Sequence, residues 1–209
     1  MNLFNSKHKI LSVFAHREDH IVFGWPVLQN AGEKTKVSLL TCVNEHCEVI
    51  KTSCILGDIK YIGNCGLNNG FASPHKNILK NKHLPNNYDF LKDEISAAVR
   101  KIKPDFIFCH NPIGEYGHYD HRMVFEVVFN EFTLPTIITD ITAKSSYYQY
   151  HEKMPQMFEH YYRDKIGEVE PDIGYYNRNK ELFEKQNIWT ENDNLNPPIY
   201  PKKAGLYVV

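Results

Sequence analysis

The sequence predicts an α/β fold, a Rossmann-like, mostly parallel sheet with helices on both faces. Three observations predict it. Short, nearly continuous apolar runs of strand length recur along the chain, stretches of helical period separate them, and a strongly polar cluster follows each of two of those runs.

The elements follow in order. Lys9 to Ala15 reads as the first strand, and Trp25 to Asn30 opens a helix, with Pro26 tolerated in its first turn and Gly32 as its stop. Lys36 to Val43 reads as the second strand, which completes a β-α-β unit. Glu45 to Leu56 carries Val49, Ile50, Ile55 and Leu56 at helical spacing, and Lys60 to Ile62 reads as a short strand. Asn64 to Asn87 is rich in Gly, Asn and Lys and reads as a solvated loop; its Lys76, Lys80, Lys82, His75 and His83 give a substrate lid as the alternative. Tyr88 to Lys101 is an amphipathic helix with Leu91, Ile95, Ala98 and Val99 on one face. Asp105 to Cys109 reads as a strand, Arg122 to Phe132 as a helix and Thr136 to Ile141 as a strand. Beyond residue 143 come a tyrosine-rich segment, a helix over Arg178 to Gln186 and a Pro-rich end. The expected organisation is one domain over residues 1–209, with a core over about 8–190 and a tail from 191.

Composition narrows the partners. With 209 residues, 42% of them hydrophobic, the chain can bury a sizeable core. A formal net charge of -1 supplies no global basic field for nucleic acid or an anionic membrane, so neither is expected as a partner. No run of 18 apolar residues occurs, so no integral membrane segment is expected. Ile10 to Ala15 is too short for a signal-peptide core. The five cysteines, odd in number and without CxxC spacing, read as small buried hydrophobes in a reducing cytoplasm.

In a parallel sheet of this kind, ligands bind beyond the carboxyl ends of the strands. His16 falls where the first strand ends, and His110 where a later one ends, followed by His118-Tyr119-Asp120-His121. A catalytic zinc takes three protein donors from His and Asp/Glu and keeps a position for water. His16, Asp19 and His121 form one such set. Glu18 stands beside it as a carboxylate that can take a proton, and His118 as a group that can stabilise or protonate what forms when water attacks a carbonyl. The arrangement reads as metal-assisted hydrolysis.

At these residues the chain resembles a family. Ala15-His16-Arg17-Glu18-Asp19-His20, continued by Phe23-Gly24 and Pro26-Val27-Leu28, resembles the A-H-P-D-D-E signature of the LmbE/PIG-L zinc de-N-acetylases. Gly114-Glu115-Tyr116-Gly117-His118-Tyr119-Asp120-His121-Arg122 is similar to the second signature, G-x-Y-G-H-P-D-H-R, and Lys180 to Trp189 to a weaker closing pattern. The resemblance implies that His16, Asp19 and His121 hold Zn2+ or another divalent metal and that Glu18 is the general base. It further implies that His118 acts on the tetrahedral intermediate and leaving amine, that Asp120 orients His118, and that Tyr116 polarises the acetyl carbonyl. The implied substrate is an N-acetylated sugar or glycoconjugate, N-acetylglucosamine-like, which loses acetate to give a free amine.

The chain departs from the pattern at Arg17 for Pro, Glu18 for Asp, His20 for Glu and Tyr119 for Pro. Glu18 keeps the carboxylate but adds a methylene, and Arg17 beside it can form an ion pair that weakens a base. A degenerate member that binds a glycan or a partner without turnover is therefore the alternative, and an esterase or other amide hydrolase a third. His20 reads as a surface or capping histidine, or else as a further group around the metal. Arg17 reads either as a neutraliser of Glu18 or as a contact for a substrate phosphate. Tyr147, Tyr148, Tyr150, Tyr161, Tyr162, Tyr175 and Tyr176 read as packing residues, with an aromatic rim for sugar rings as the alternative. Gly63, Gly66 and Gly70 lack phosphate-loop spacing, and no nucleotide site is expected.

Overall fold

β1 (Lys9–Phe14) is buried on both faces after its first residue, which is why it reads as an unbroken apolar run. In the computed structural model, which describes residues 7–28, 35–44, 47–56, 58–72, 84–143, 156, 158–170, 173–187, 198–199 and 203–209, β1 pairs in parallel with β2 (Lys36–Val43) on one side and β4 (Phe106–Cys109) on the other. β3 (Lys60–Leu67) continues the sheet beyond β2 and β5 (Thr136–Thr139) beyond β4, all parallel. The sheet is completed by β7 (Lys165–Val169) and β9 (Ala204–Val208), giving the order β3-β2-β1-β4-β5-β9-β7, with β9 antiparallel to both its neighbours. A separate two-stranded ribbon joins β6 (Thr142–Ala143) to β8 (Pro198–Ile199). The fold is the expected mostly parallel, Rossmann-like α/β sheet.

Alternation along the strands divides the core between the two faces. Ile10, Phe14, Leu39, Phe106, Phe108 and Leu206 face a turn of π-helix (His20–Gly24) that runs into α1 (Trp25–Leu28), together with α2 (Cys47–Leu56) and α5 (Ile173–Lys185). Leu11, Val13, Leu40, Ile107 and Ile138 face α3 (Leu84–Ile102) and α4 (Tyr119–Glu131). Phe14 and Phe108 are 1% exposed and meet edge to face at 5.3 Å. Each buries a side chain worth about 1.5–3 kcal/mol. Gly24 lets the π-turn lie directly on Phe14, because a Cβ there would stand 2.7 Å from Phe14 Cζ.

Several boundaries differ from the sequence expectation. β3 has eight residues rather than three and takes up the start of the segment expected to be loop; its pairing with β2 is irregular, with register shifts after Leu39 and Thr41, which obscures a period of two. α3 starts at Leu84, within that same segment, and α5 starts at Ile173, five residues before the expected Arg178. β7 and β9 were not expected, and β9 lies in the stretch read as a tail. The lid candidates Lys76, Lys80, Lys82, His75 and His83, the helix stop Gly32, and Tyr147, Tyr148 and Tyr150 lie outside the described residues. Tyr161 packs on Phe125 and Phe129, Tyr162 on Tyr207, and Tyr175 on Trp25, as packing residues should. Cys42, Cys54, Cys65 and Cys109 are buried free thiols.

The strand order places a switch point between β1 and β4, where the chain stops adding strands on one side and begins on the other. Val13 stands opposite Cys109, so both strands discharge at the same edge. Ligands bind at such a point in open α/β sheets.

Candidate metal centre

β1 delivers His16 to this edge, and the bend that follows folds Asp19 back so that its Oδ2 accepts the His16 backbone N–H at 2.6 Å. α4 delivers His121 from the other side. Its first turn is capped by His118, whose Nδ1 accepts the Asp120 N–H at 3.1 Å. Starting the helix at Tyr119 rather than at the expected Arg122 puts Asp120 and His121 in its first turn, and both are fully buried.

Three atoms then converge. His16 Nδ1 lies 3.1 Å from His121 Nε2 and 3.2 Å from Asp19 Oδ2, and His121 Nε2 lies 3.4 Å from Asp19 Oδ2. A tetrahedral zinc with bonds of about 2.0–2.1 Å spaces its donors about 3.3 Å apart, so the triangle fits a divalent cation of that size. The residue types fit as well, two imidazoles and a carboxylate. A Glu18 carboxylate oxygen lies within 4.8 Å of donor atoms of His16 and Asp19, and a His118 nitrogen within the same distance of donor atoms of His16 and His121.

The charges favour a cation. Burial opposes ionisation of Asp19, but the His121 and His16 imidazoles outweigh it and hold the carboxyl well below its ordinary value. Burial likewise opposes a charged His16, while Asp19 and Asp120 outweigh it and raise the imidazole well above its ordinary value. With Glu115 and Asp120, three buried carboxylates gather around this point, and positive charge on the imidazoles beside them, or on a cation in its place, compensates them.

The far nitrogens of both imidazoles face carboxylates. His16 Nε2 faces Asp120 Oδ2 at 3.2 Å, and Asp120 is itself fixed by N–H bonds from Gly70 at 2.7 Å and Ala72 at 2.8 Å. Asp120 was expected to orient His118; its carboxylate faces His16, and it meets His118 through the backbone N–H. His121 Nδ1 faces Glu115 Oε2 at 2.7 Å. Glu115 also takes His110 Nδ1 at 2.9 Å, while His110 Nε2 accepts the Ala15 N–H at 3.0 Å. Asp19 Oδ2 lies 3.3 Å from the same His110 Nε2, but the fixed direction of the Ala15 N–H requires a lone pair there. Burial lowers the His110 imidazole and the Glu115 and Asp19 carboxylates raise it, to about 9, yet the Ala15 N–H occupies the second proton's place, so the ring carries one proton, on Nδ1.

Glu18 is half-buried and lies 3.8 Å from Arg17 Nε, the neighbour expected to pair with it. Tyr116 is 9% exposed and stands edge-on to His118 at 5.7 Å and to His121 at 5.4 Å. His118 stacks on His121 at 4.5 Å; burial first, then the neighbouring imidazoles, push its basicity far down, so the ring is neutral. His20 is neither a surface group nor a capping one. Burial takes its imidazole down to about 4, and Nε2 meets Ser53 Oγ at 3.0 Å, which donates to Asn179 Oδ1 at 2.6 Å. That buried chain ties the turn after Asp19 to α2 and α5.

Residues 11–132 match the family model PIG-L, GlcNAc-PI de-N-acetylase, over more than half of the chain. The chain belongs to the PIG-L family. Solved structures of deacetylases share the fold of this PIG-L chain. The zinc-inhibited form of the teicoplanin deacetylase Orf2 is 10% identical, with a TM-score of 0.58 over 96% of this chain and 98% of that one. A deacetylase–teicoplanin complex is 11% identical, with a TM-score of 0.57 over 96% and 99%. The A40926 pseudoaglycone deacetylase Dbv21 is 10% identical, with a TM-score of 0.54 over 98% of each chain. Among curated proteins, none matches the chain in sequence. No helix among the described residues is long and apolar enough to cross a membrane.

Sequence reasoning missed Glu115, which serves two of the four clustered imidazoles. It sits inside the second PIG-L signature, between two glycines, and a carboxylate at such a turn was the available signal.

Proposed function

We propose that this PIG-L chain is a divalent-metal-dependent N-deacetylase, with zinc as the favoured ion, that removes the acetyl group from an N-acetylated sugar or sugar conjugate. The observation that carries the reading is the triangle of His16 Nδ1, Asp19 Oδ2 and His121 Nε2, with edges of 3.1 to 3.4 Å at the sheet's switch point. Family membership supports the reaction class, and the deacetylases of like fold are consistent with a sugar-bearing substrate.

These three residues would hold the ion, which when bound supplies a Lewis acid for an acyl oxygen and lowers the pKa of a coordinated water to about 7. Glu18, a half-buried carboxylate with an oxygen within 4.8 Å of donor atoms of His16 and Asp19, takes the proton from the attacking water. Because His118 Nδ1 accepts the Asp120 N–H, its proton lies on Nε2, the nitrogen that would donate toward the tetrahedral oxygen or the departing amine. Tyr116, packed against His118 and His121, supplies a hydroxyl for the acetyl carbonyl. Asp120 keeps His16 in the tautomer that leaves Nδ1 bare.

The test is acetate release from a panel of N-acetylated amino sugars and their conjugates by zinc-loaded protein, with Asp19→Asn as the inactive control. Release that Asp19→Asn abolishes is the expected result. The Arg17–Glu18 approach of 3.8 Å favours one other reading, a family member that binds sugars without turnover. Sugar binding with no acetate from any member of the panel would establish it.

A further inference from the structure

The proposed reaction makes no direct use of Glu115, yet this residue is buried and held in a constrained backbone beside the proposed metal centre. It is 1% exposed and has φ 56°, a left-handed backbone unfavourable for a residue with a Cβ. Such conformations cost on the order of 1–3 kcal/mol and persist where surrounding structure enforces them. Here Asn111 enforces it. Asn111 Oδ1 accepts the N–H groups of Ile113 and Glu115, each at 3.1 Å, and its Nδ2 donates to the carbonyl of Ile141 at 2.9 Å. In return Glu115 Oε1 accepts the Asn111 N–H at 3.1 Å.

We propose that Glu115 is a positioning residue for the metal centre: its single oxygen Oε2 accepts the Nδ1–H of both His121 and His110. This leaves His121 with a bare Nε2 for the cation and His110 with a bare Nε2 for the Ala15 N–H. The inference rests on the reading of His121 as a metal donor. Oε2 lies 2.7 Å from His121 Nδ1 and 2.9 Å from His110 Nδ1, and a carboxylate oxygen has two lone pairs to offer them. His110 then holds Ala15, the residue before His16, at 3.0 Å. One carboxylate therefore sets the tautomer of the donor on α4 and, through His110, the place where β1 releases the donor His16.

The strain supports a role beyond supplying negative charge beside the imidazoles, because a charge alone does not need a left-handed backbone. Glu115→Gln separates the two. Whichever way the new amide turns, its NH2 faces either the two imidazole N–H groups or the Asn111 N–H, so one side of the brace meets donor against donor. Loss of an outer carboxylate of this kind typically weakens metal binding by about 10–100-fold.

The experiment is a zinc competition titration against a chromophoric chelator on the full chain, with Ile95→Val as a mildly destabilised control remote from the site. Glu115→Gln is expected to raise the zinc Kd by about 10–100-fold, and Ile95→Val to leave it within about twofold. Nitrogen-15 NMR of the metal-free wild type is expected to show both His121 and His110 protonated on Nδ1, a readout that stands even if Glu115→Gln does not fold. Equal zinc affinity in the wild type and Glu115→Gln would overturn the inference, as would His121 protonated on Nε2. A wild type that takes up no zinc overturns the metal reading itself, and this inference with it.

Discussion

His16 and His121 are separated by 105 positions in the chain, yet His16 Nδ1 and His121 Nε2 stand 3.1 Å apart. With their far nitrogens donating to Asp120 and Glu115, the two imidazoles can turn both near nitrogens to one cation, which would take the place of the proton that otherwise lies between them. Zinc at about one hundred times its Kd is therefore expected to stabilise the fold by about 2.7 kcal/mol. For a chain of this size that is a rise in Tm of about 5–10 °C, read by scanning calorimetry, and a chelator should reverse it. His121→Ala should show no rise; an equal rise in that variant would exclude His121 as a donor.

Glu18→Gln keeps the shape of the side chain and removes its basicity. The expected outcome is a fall in kcat of about 10²–10⁴-fold with zinc affinity changed little, since Glu18 stands outside the donor triangle. Steady-state acetate release beside a zinc titration measures both. A loss of zinc binding equal to the loss of rate would make Glu18 a ligand rather than a base.

Asp120→Asn tests the brace on His16. The replacement amide cannot accept at both of its terminal atoms, so either the Ala72 contact or both the Gly70 and His16 contacts are lost. Zinc affinity should fall by about 10–100-fold, as seen by chelator competition. Unchanged affinity would mean that His16 holds its orientation by other means.

Gly114 has φ 69°, and a Cβ there would stand 2.8 Å from Arg122 Cγ and 3.3 Å from His121 Cβ. Gly114→Ala should cost about 1–3 kcal/mol in urea unfolding. Gly167→Ala, whose Cβ would meet nothing within 4 Å, should stay within about 0.5 kcal/mol of wild type. Similar costs for the two would remove the steric argument.

Ser53→Ala removes the middle of the buried chain from His20 to Asn179. Leaving polar groups without partners at full burial should cost about 1–3 kcal/mol, measured by urea unfolding. A neutral result would mean that water replaces the hydroxyl.

How much of this was legible follows from where each side chain gets its position. The interior strands β1, β2, β4 and β5 could be read because burial on both faces demands continuous apolar runs. β7 and β9 could not: β7 is half exposed, and β9 takes its place only by antiparallel pairing with strands far away in sequence. Ala204 to Val208 carries a strand-like apolar run, but it follows the Pro-rich stretch of Pro197, Pro198 and Pro201, and only pairing with β5 and β7 makes it part of the sheet.

The sequence by itself determined the interior strands of the sheet and the types and spacing of His16, Asp19, His118 and His121, because a proposed donor set depends on residue chemistry and on where strands end. The tertiary structure decided which nitrogen of each imidazole faces the centre and which carboxylate stands behind it. It also decided that Asp120 braces His16 and that His20 is buried against Ser53. Those outcomes depend on lone-pair directions and on contacts spanning up to 105 residues, and a one-dimensional pattern carries neither.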